Sequence, residues 1–355
     1  MKAMLLAAGR GERLSPITRV LPKPLLPVLG RPLAPWVLTQ LAAEGIDEAV
    51  INLHHLPDSL RETLGDGSSL GLRSLRYSLE PRELLGTGGG VVHASSFLRG
   101  DGPILVRNSD FLADIPIDEL ATFHERAGRA ATLVLAPHRP GYTRVRTDDS
   151  GGVVSFGGDA GGEFLFTGCQ IIEESLIDRL PVDRPSDIVR DLYVELAREK
   201  GIAAFIHRGF WWEFGTADQY LEGSRHLVEM PTEERLEIGD FDPVRLVGDV
   251  PASVGPGVVL HGDGIQVSGF VVAGLGVHVA EDVRLGETIV MPEAWIGPRS
   301  NLKRCIVGPG TEIPAGFSAE HALIATDLEP TAPPPDGCER VRGLLVRSFR
   351  KAPGR

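Results

Sequence analysis

The first two thirds of the chain alternate short apolar runs with amphipathic segments. Runs of this length are typical of buried strands, whereas the segments between them repeat apolar residues at helical spacing. Residues 33–44, for example, place Trp36, Val37 and Leu41 on one face, and Gly45 follows as a C-terminal cap. We predict strands at 2–7, 48–53, 103–106, 130–136 and 202–207, and helices at 33–44, 117–126 and 187–200. This alternation predicts an α/β fold: a Rossmann-like, mostly parallel sheet with helices on both faces.

The pattern changes after about residue 240, where helical spacing disappears. Short stretches recur in which an aliphatic residue precedes Gly and Pro, and apolar residues step by six, as from Ile296 to Leu302 and from Val307 to Ile313. This period resembles that of the left-handed parallel β-helix of hexapeptide-repeat proteins. Because the period is interrupted at residues 262–276, a glycine-rich β-sandwich stays open as the alternative.

These patterns predict three parts of the chain. A chain of 355 residues is too long for one core of ordinary size, so we expect more than one domain. We place the α/β domain at 1–228 and the β-helix at 240–327. Residues 328–355 are rich in proline and then in arginine, which predicts a flexible tail.

The net charge indicates which classes of partner to expect, and the cysteine content indicates whether to expect disulfides or a metal site. The net charge of −12 gives no general attraction for nucleic acid or for anionic membranes, so we expect neither as a partner. No apolar run approaches the roughly 18 residues of a membrane helix. Cys169, Cys305 and Cys338 are widely spaced and odd in number, which favours neither a disulfide framework nor a metal site. We therefore expect a reduced, cytoplasmic protein.

Positive charge is concentrated in residues 10–23, directly after the first predicted strand. Glycines in this place let backbone amides approach a polyphosphate closely. A dinucleotide-binding fold would need a third glycine where Leu14 stands, and a P-loop would need Gly-Lys-Ser/Thr, which is absent. The loop offers separate basic side chains, offset only by Glu12: Arg10, Arg13, Arg19 and Lys23.

The residues of this loop carry a long signature. They read Gly9-Arg10-Gly11-Glu12-Arg13-Leu14-Ser15-Pro16-Ile17-Thr18, followed by Leu21-Pro22-Lys23-Pro24-Leu25. The chain thereby resembles the nucleotidyl transferase family that makes nucleotide sugars, whose signature is Gly-x-Gly-x-Arg-Leu-x-Pro-x-Thr and then Pro-Lys-Pro-Leu. The resemblance continues through 52–90, 108–110 and 211–216. The chain is most similar to two groups of the family, the mannose-1-phosphate guanylyltransferases and the N-acetylmuramate-1-phosphate uridylyltransferases. The C-terminal repeats fit the first group better.

The resemblance implies a reaction and a set of roles for the loop. A nucleoside triphosphate and a sugar 1-phosphate would give an NDP-sugar and pyrophosphate. Arg13 would bind the β- and γ-phosphates, and Lys23 the α-phosphate, where charge accumulates during attack. This agrees with the chemistry, because catalysis of phosphoryl transfer consists of positioning and charge stabilisation. Backbone groups around the loop would hold the nucleotide: Leu6, Ala8, Gly9 and Gly11.

Two further segments match the family's base- and sugar-binding segments. Glu80 precedes a glycine-rich loop at 85–90, and the resemblance implies that Glu80, or else Glu83, pairs with the base while Gly86 and Thr87 pack against the nucleotide. The segment 166–168 matches the one that contacts the sugar. The implied sugar-phosphate residues are Asn108, Thr167 and Gly168.

The resemblance also implies a Mg²⁺ ion. Asp110 matches the family's metal-binding aspartate, and the second carboxylate would be Glu213, where the family usually has Asp. Many members grip the sugar phosphate with the lysine of a Glu-Lys-Pro motif. Residues 154–159 stand in that place without a lysine, so Arg144 or Arg146 is our candidate substitute.

Two other functions stay open. A non-catalytic homologue could bind a nucleotide sugar and regulate a partner, which Glu213 and the missing lysine favour. An acyltransferase using the β-helix would need a histidine there, and His261 and His278 are available, although no pattern supports it. By resemblance to other hexapeptide-repeat proteins, we expect a homo-oligomer formed through the β-helix.

Overall fold

The structure is a computed structural model that describes residues 1–80, 83–157, 161–247 and 249–349. Its contacts divide the chain into two compact units. The first unit contains Met1–Gly9 and Ala34–Trp211, and the second contains Arg10–Leu33 and all residues from Trp212 onward. Apart from Gly9, the signature loop therefore belongs to the same unit as the C-terminal part of the chain. No helix within the described ranges is both long enough and apolar enough to span a bilayer.

Strands outnumber helices along the chain. The strands are β1 Lys2–Leu6, β2 Pro27–Val28, β3 Arg31–Pro32, β4 Glu48–Leu53, β5 Ser74–Leu79, β6 Ile104–Asn108, β7 Phe111–Ala113, β8 Ala131–Pro137, β9 Val145–Thr147, β10 Val153–Phe156, β11 Phe164–Ile172, β12 Ile202–Ile206, β13 Trp211–Glu213, β14 Val244–Val247, β15 Val250–Val254, β16 Val259–Leu260, β17 Gln266–Ala273, β18 His278–Val279, β19 Arg284–Val290, β20 Trp295–Ile296, β21 Asn301–Val307, β22 Glu312–Ile313, β23 Ser318–Thr326, β24 Glu339–Val341 and β25 Leu344–Ser348. The helices are α1 Leu33–Ala43, α2 Pro57–Leu64, α3 Gly86–His93, α4 Ser95–Leu98, α5 Ile117–Ala127, α6 Val194–Arg198, α7 Ala217–Glu229 and α8 Thr232–Ile238.

The first unit is built on a Rossmann-like sheet. Strand β1 pairs in parallel with β4 and β6, β4 pairs in parallel with β5, and β12 does so with β8. The predicted strands, and the helices α1 and α5, are confirmed within a few residues. Each of the five predicted strands contributes residues to one buried core. The third predicted helix begins as a π-helix at Val189–Tyr193 and ends as α6. Strand β11, which the pattern did not predict, pairs antiparallel with β6 and β8.

The second unit contains a parallel β-helix. Strands β15, β17, β19, β21 and β23 pair in parallel in sequence order, and so do β16, β18, β20 and β22. Parallel pairing of successive strands rules out the glycine-rich β-sandwich, which needs antiparallel neighbours. The residues that step by six, Ile296 to Leu302 and Val307 to Ile313, are all buried in its core, as predicted.

The turns of this β-helix take 17 residues, since the corner at Gly276 recurs at Glu293 and Gly310. Successive corners are marked by residues with positive φ, spaced six, five and six apart. The longer first turn runs from Gly257 to Gly276, which is where the sequence period is interrupted. Each later turn therefore has two sides of six residues and one side of five, so a six-residue period describes only part of the repeat. The corners are Gly276, Asp282, Glu287, Glu293, Arg299, Arg304, Gly310, Gly316 and His321.

The prediction of a flexible tail at 328–355 is wrong for its described part. Strand β25 pairs antiparallel with β23 and with β24. Leu344 and Leu345 are each only 3% exposed, and Leu344 belongs to the core of the β-helix. The segment therefore folds because it covers apolar surface and the open edge of β23. Residues 350–355 of the predicted tail lie outside the described residues.

Arg304 joins a corner of the β-helix to helix α7. Its side chain is 9% exposed and contacts three carboxylates: Glu287 at 2.6 Å, Glu222 at 3.2 Å and Asp218 at 3.3 Å. Burial alone would raise the pKa of Glu222, but Arg225 and Arg304 lower it below its usual value. The cluster is therefore held together by the guanidinium at neutral pH.

We predict that Arg304→Met lowers the free energy of unfolding at pH 7 by about 2–3 kcal/mol, because Glu287 and Asp218 lose the guanidinium while Glu222 keeps Arg225. A carboxylate with a lowered pKa stabilises the fold above its unfolded pKa and loses this effect as the pH falls through its folded pKa. The difference between variant and wild type should thus persist down to about pH 4.5 and shrink as the pH falls below that value. Urea titrations at several pH values measure it, with Lys303→Met as the control; a difference independent of pH would contradict the prediction.

Candidate functional site

The carboxyl ends of β1 and β6 lie side by side in the first unit. Leu6 pairs with Asn108, and both the amide and the hydroxyl of Ser109 donate to the Leu6 carbonyl, at 3.1 and 2.8 Å. Asp110 follows directly and is half-buried. Ligands of open α/β sheets bind beyond such strand ends. The structure therefore brings together the predicted residues Leu6, Asn108 and Asp110 at one edge of the sheet.

The two predicted nucleotide residues after β1 differ in exposure. Ala8 is 6% exposed, whereas Gly9 is exposed. A Cβ atom built on Gly9 would have no neighbour within 4 Å. The backbone at Gly9 is thus open to an approaching group, as its predicted role requires.

A chain of buried hydrogen bonds fixes the segment after β1 to the glycine-rich segment. The Asn52 side chain accepts from the Ala7 amide at 2.7 Å and donates to Glu80 at 2.7 Å. The other carboxylate oxygen of Glu80 accepts from the Leu85 amide at 2.9 Å. Glu80 is 5% exposed, so the structure shows it holding the loop, and its contact with a base stays a prediction. The alternative candidate, Glu83, is exposed.

Sequence reasoning did not single out Asn52 as a site residue. The available signal was an amide near the carboxyl end of β4, directly after the apolar residues Ala49, Val50 and Ile51. We predict that Asn52→Ala lowers the free energy of unfolding by about 2–3 kcal/mol, because it leaves a buried amide and a buried carboxylate without their partners. Thermal and urea unfolding measure this. Substitution of an exposed residue on helix α2 of the same unit, Glu62→Ala, is the control, and equal stability of the two variants would contradict the prediction.

The predicted glycine-rich loop is the beginning of helix α3. Gly86 has φ of 75°, and a Cβ there would lie 2.5 Å from the Ser186 carbonyl oxygen. That carbonyl accepts from the Gly88 amide at 2.9 Å. The Thr87 hydroxyl accepts from the Ile188 amide at 2.9 Å. Glycine is required at position 86 because the segment packs directly against the backbone at 186–188.

The predicted sugar-contacting segment lies on an irregular part of β11. The pairing of β11 with β8 shifts register between Phe166 and Gln170. The Thr167 hydroxyl donates to the Val134 carbonyl at 2.8 Å, and Thr167 is 2% exposed. Gly168 has φ of 83°, and a Cβ there would lie 2.5 Å from the Asn108 side-chain nitrogen. The structure thus brings Asn108 and Gly168 together, whereas the Thr167 hydroxyl is turned into the protein.

A fully buried guanidinium lies beside these residues, which sequence reasoning missed. Arg107 is 0% exposed, lies 4.4 Å from the centre of the Phe111 ring and donates to Gln40 at 3.3 Å. Burial lowers the pKa of Arg107 to about 10 and raises the pKa of its neighbour Cys169 to about 11. At neutral pH the arginine is charged and the thiol is not. The residue next to Asn108 therefore carries a buried positive charge, and the carboxylate of Glu44 is close enough to raise the pKa of Arg107.

The signature loop of the second unit is folded into short 3-10 turns. Gly11 has φ of 67°, and its carbonyl accepts from the Leu14 amide at 2.8 Å and the Thr18 hydroxyl at 3.0 Å. The turn Glu12–Leu14 carries Arg13, and Lys23 begins the next turn, Lys23–Leu25. A Cβ on Gly11 would lie 3.3 Å from that of Lys23. The loop thus brings Gly11 and Lys23 together.

Glu213 faces the same loop. One of its carboxylate oxygens lies 3.7 Å from a guanidinium nitrogen of Arg13, and its side chain is 20% exposed. Just beyond it, the Thr216 hydroxyl accepts from the Gln219 amide at 3.2 Å and so caps helix α7. The position of Glu213 is therefore fixed by a helix start and its charge is close to the predicted phosphate ligand Arg13.

The two predicted metal ligands, Asp110 and Glu213, suit a cation that takes its other ligands from phosphates. Among the residues that the structure describes, no three His, Cys, Asp or Glu side chains form a group able to hold a metal ion. Mg²⁺ commonly binds through one or two carboxylates together with substrate phosphates and water. Asp110 and Glu213 match that requirement in chemical type.

The place of the missing lysine is described only in part, because Gly158 and Asp159 lie outside the described residues. Of the two candidate substitutes, Arg144 is exposed and donates to the Gly162 carbonyl at 2.5 Å, and Arg146 is also exposed. Their role toward a sugar phosphate stays a prediction.

Comparison with known proteins identifies a family and several similar proteins. A sequence model of the family described as Nucleotidyl transferase matches residues 2–230. Mannose-1-phosphate guanylyltransferase of Mycobacterium tuberculosis is 30% identical over 326 residues, which are 90% of this chain and 83% of that protein. N-acetylmuramate alpha-1-phosphate uridylyltransferase of Neisseria meningitidis is 37% identical over 223 residues, which are 61% of this chain and 94% of that protein.

A solved structure shows the same fold. A protein from Bacillus anthracis, described as a glucose-1-phosphate thymidylyltransferase, superposes with a TM-score of 0.58 at 18% sequence identity. The superposition covers 66% of this chain and 98% of that one. At this identity the likeness concerns the fold alone.

Proposed function

Because this chain belongs to the nucleotidyl transferase family, we propose that it transfers a nucleotidyl group from a nucleoside triphosphate to a sugar 1-phosphate. The products are an NDP-sugar and pyrophosphate. The observation that carries the proposal is the signature loop, which matches the family at every fixed position and presents Arg13 and Lys23 from two ordered turns. The named relatives act on a sugar phosphate of this kind.

The chemistry follows from where charge develops. An oxygen of the sugar phosphate bonds to the α-phosphorus while the bond from that phosphorus to the pyrophosphate oxygen breaks. No covalent intermediate is needed, so the protein contributes positioning and charge stabilisation. Lys23 stabilises the charge that accumulates on the α-phosphate, and Arg13 holds the β- and γ-phosphates that leave as pyrophosphate. Asn108 and the backbone of Gly168 orient the sugar phosphate.

We further propose Mg²⁺ as the ion that neutralises the phosphates, with Asp110 and Glu213 as its carboxylate ligands. Glu is one methylene longer than the Asp usual in the family. The short connection from Glu213 to the cap at Thr216 fixes the backbone from which this longer side chain extends. Glu213→Asp should therefore be less harmful than Glu213→Gln, because it keeps the charge.

The first substrate pair to test is GTP with mannose 1-phosphate. The guanylyltransferase relative aligns over 90% of the chain, and thus over the β-helix too, whereas the uridylyltransferase relative covers 61% of it. We propose the pair on this ground. A homo-oligomer formed through the β-helix and a cytoplasmic location are further parts of the proposal.

The decisive experiment measures pyrophosphate release across GTP, UTP, dTTP, CTP and ATP, each with several sugar 1-phosphates and Mg²⁺. We expect turnover of at least one pair, with strong preference for one base. A protein that binds an NDP-sugar but turns over none of the pairs would support the non-catalytic regulatory function and overturn the enzymatic one.

A further inference from the structure

The C-terminal segment 327–348 contacts the signature loop within the second unit. Arg347 on β25 donates to the Glu12 carbonyl at 2.6 Å. Glu329 forms an ion pair with Arg19 at 2.7 Å. Cys338 is buried, which raises the pKa of its thiol, and the nearby Ser15 side chain acts in the opposite direction. Two residues of a segment expected to be a tail thus contact the loop predicted to bind the triphosphate.

Arg347 binds a carbonyl oxygen that also closes the turn carrying Arg13. The Glu12 carbonyl also accepts from the Ser15 amide at 3.2 Å, which closes the turn Glu12–Leu14. Arg13 is the middle residue of that turn and the next residue after the bonded carbonyl. The direction of the Arg13 side chain depends on the conformation of the turn, since side-chain direction follows the backbone. Arg347 therefore acts on the turn that presents Arg13.

Arg347 is itself held in place. It pairs with Leu323 in the register of β25 against β23, and the preceding residues Leu344 and Leu345 are buried. A guanidinium extending from a paired strand loses little freedom when it binds a carbonyl. Arg347 thus extends from an ordered strand of the second unit and contacts a loop that consists only of short turns.

The contact between Arg19 and Glu329 is weaker. Both side chains are exposed, at 39% and 63%, and exposed ion pairs contribute little. Glu329 is nevertheless positioned, because its amide donates to Asp327 at 3.1 Å and its carbonyl accepts from Arg340 at 2.9 Å. We assign it a supporting role beside Arg347.

We propose that Arg347 is a positioning residue for the triphosphate site: it holds the turn Glu12–Leu14 so that Arg13 is presented to the nucleotide. The C-terminal strands are then part of the catalytic apparatus of this chain. This inference rests on the proposed nucleotidyl transfer, and it goes beyond it in giving residues of the C-terminal segment a task in nucleotide binding.

The test compares Arg347→Met with Arg342→Met. Arg342 belongs to the same C-terminal segment and also donates to a backbone carbonyl, but the acceptor is that of Ala315 on the β-helix, at 3.0 Å, and not one of the loop. For Arg347→Met we expect kcat/KM for the nucleotide to fall about tenfold, the effect of losing one hydrogen bond from a charged group. The KM for the sugar phosphate should stay within about twofold, and Arg347→Lys should restore most of the loss by keeping a donor.

Hydrogen exchange gives a second readout that needs no substrate. The Ser15 amide, which closes the turn, should exchange faster in Arg347→Met than in wild type or Arg342→Met. If the wild type turns over no substrate pair, the proposed function fails, yet this measurement still decides the positioning role. Unchanged exchange at Ser15 together with unchanged kcat/KM, or an equal effect of both methionine variants, would overturn the inference.

Discussion

Lys23→Met should fold like the wild type and lose about 10²–10³-fold in kcat, the usual effect of removing a key charge-stabilising donor. Lys23 begins the turn Lys23–Leu25, and its side chain is half-buried. Methionine keeps the aliphatic stem that packs there and removes only the ammonium group. Because charge on the α-phosphate is greatest in the transition state, the loss should appear in kcat more than in the KM of either substrate.

Initial rates of pyrophosphate release at saturating substrates measure this effect. Lys303→Met is the matched control, because Lys303 is an exposed lysine of the β-helix that pairs with Glu320. It should keep wild-type turnover and report any general effect of losing one positive charge. Near-normal turnover of Lys23→Met, in a variant whose unfolding midpoint matches the wild type, would remove Lys23 from the mechanism and weaken the assignment.

The sequence predicted β1, β4, β6, β8 and β12 of the first unit because these strands are largely buried on both faces. It did not predict β5, β9 or β10, which are more exposed, or the short strand β7. Apolar runs such as 48–53 and 130–136 coincide with β4 and β8 to within a residue. Strand β11 escaped prediction because Thr167 and Gly168 interrupt its apolar run, and its partners are distant in sequence. An antiparallel strand with a register shift carries no regular period, so pattern alone could not find it.

The C-terminal segment shows the opposite error. Its proline and arginine content is typical of a solvated tail, and composition outweighed the short apolar pair Leu344 and Leu345. That pair is buried because β23 offers an open edge and the end of a core, neither of which is visible in local sequence. The consequence for function is large, since Arg347 lies on this strand.

Sequence reasoning named candidate residues where the residue type and the family signature coincide. It did not name buried residues that hold the candidate residues in place. Arg13 and Lys23 were named as candidates because they are cations in a motif that resembles the family signature, and their roles stay predictions. Asn52 and Arg107 were not named, because a buried amide or guanidinium within a strand has no spacing rule. Their importance follows only from contacts between distant residues.

Asp110→Asn should abolish most activity, by about 10³-fold, while preserving the fold. The substitution keeps the shape of the side chain and removes its charge, and Mg²⁺ binds carboxylates far better than amides. Asp110 follows the strand end at which Ser109 holds the Leu6 carbonyl, and none of the contacts of Ser109 depends on the charge of Asp110. The strand end should therefore keep its structure, and the unfolding midpoint of the variant measures whether it does.

The direct measurement is the Mg²⁺ concentration that gives half-maximal activity, which should rise by at least about tenfold in Asp110→Asn because one of two proposed carboxylate ligands is lost. Asp58→Asn is the control, since Asp58 is an exposed acid in the first turn of α2. A second arm compares Glu213→Gln, which should shift the same metal dependence, with Glu213→Asp, which should shift it less. If Asp110→Asn lost activity with an unaltered Mg²⁺ dependence, Asp110 would act on the substrates rather than on the ion, and the carboxylate at Glu213 would have to bind the metal without it.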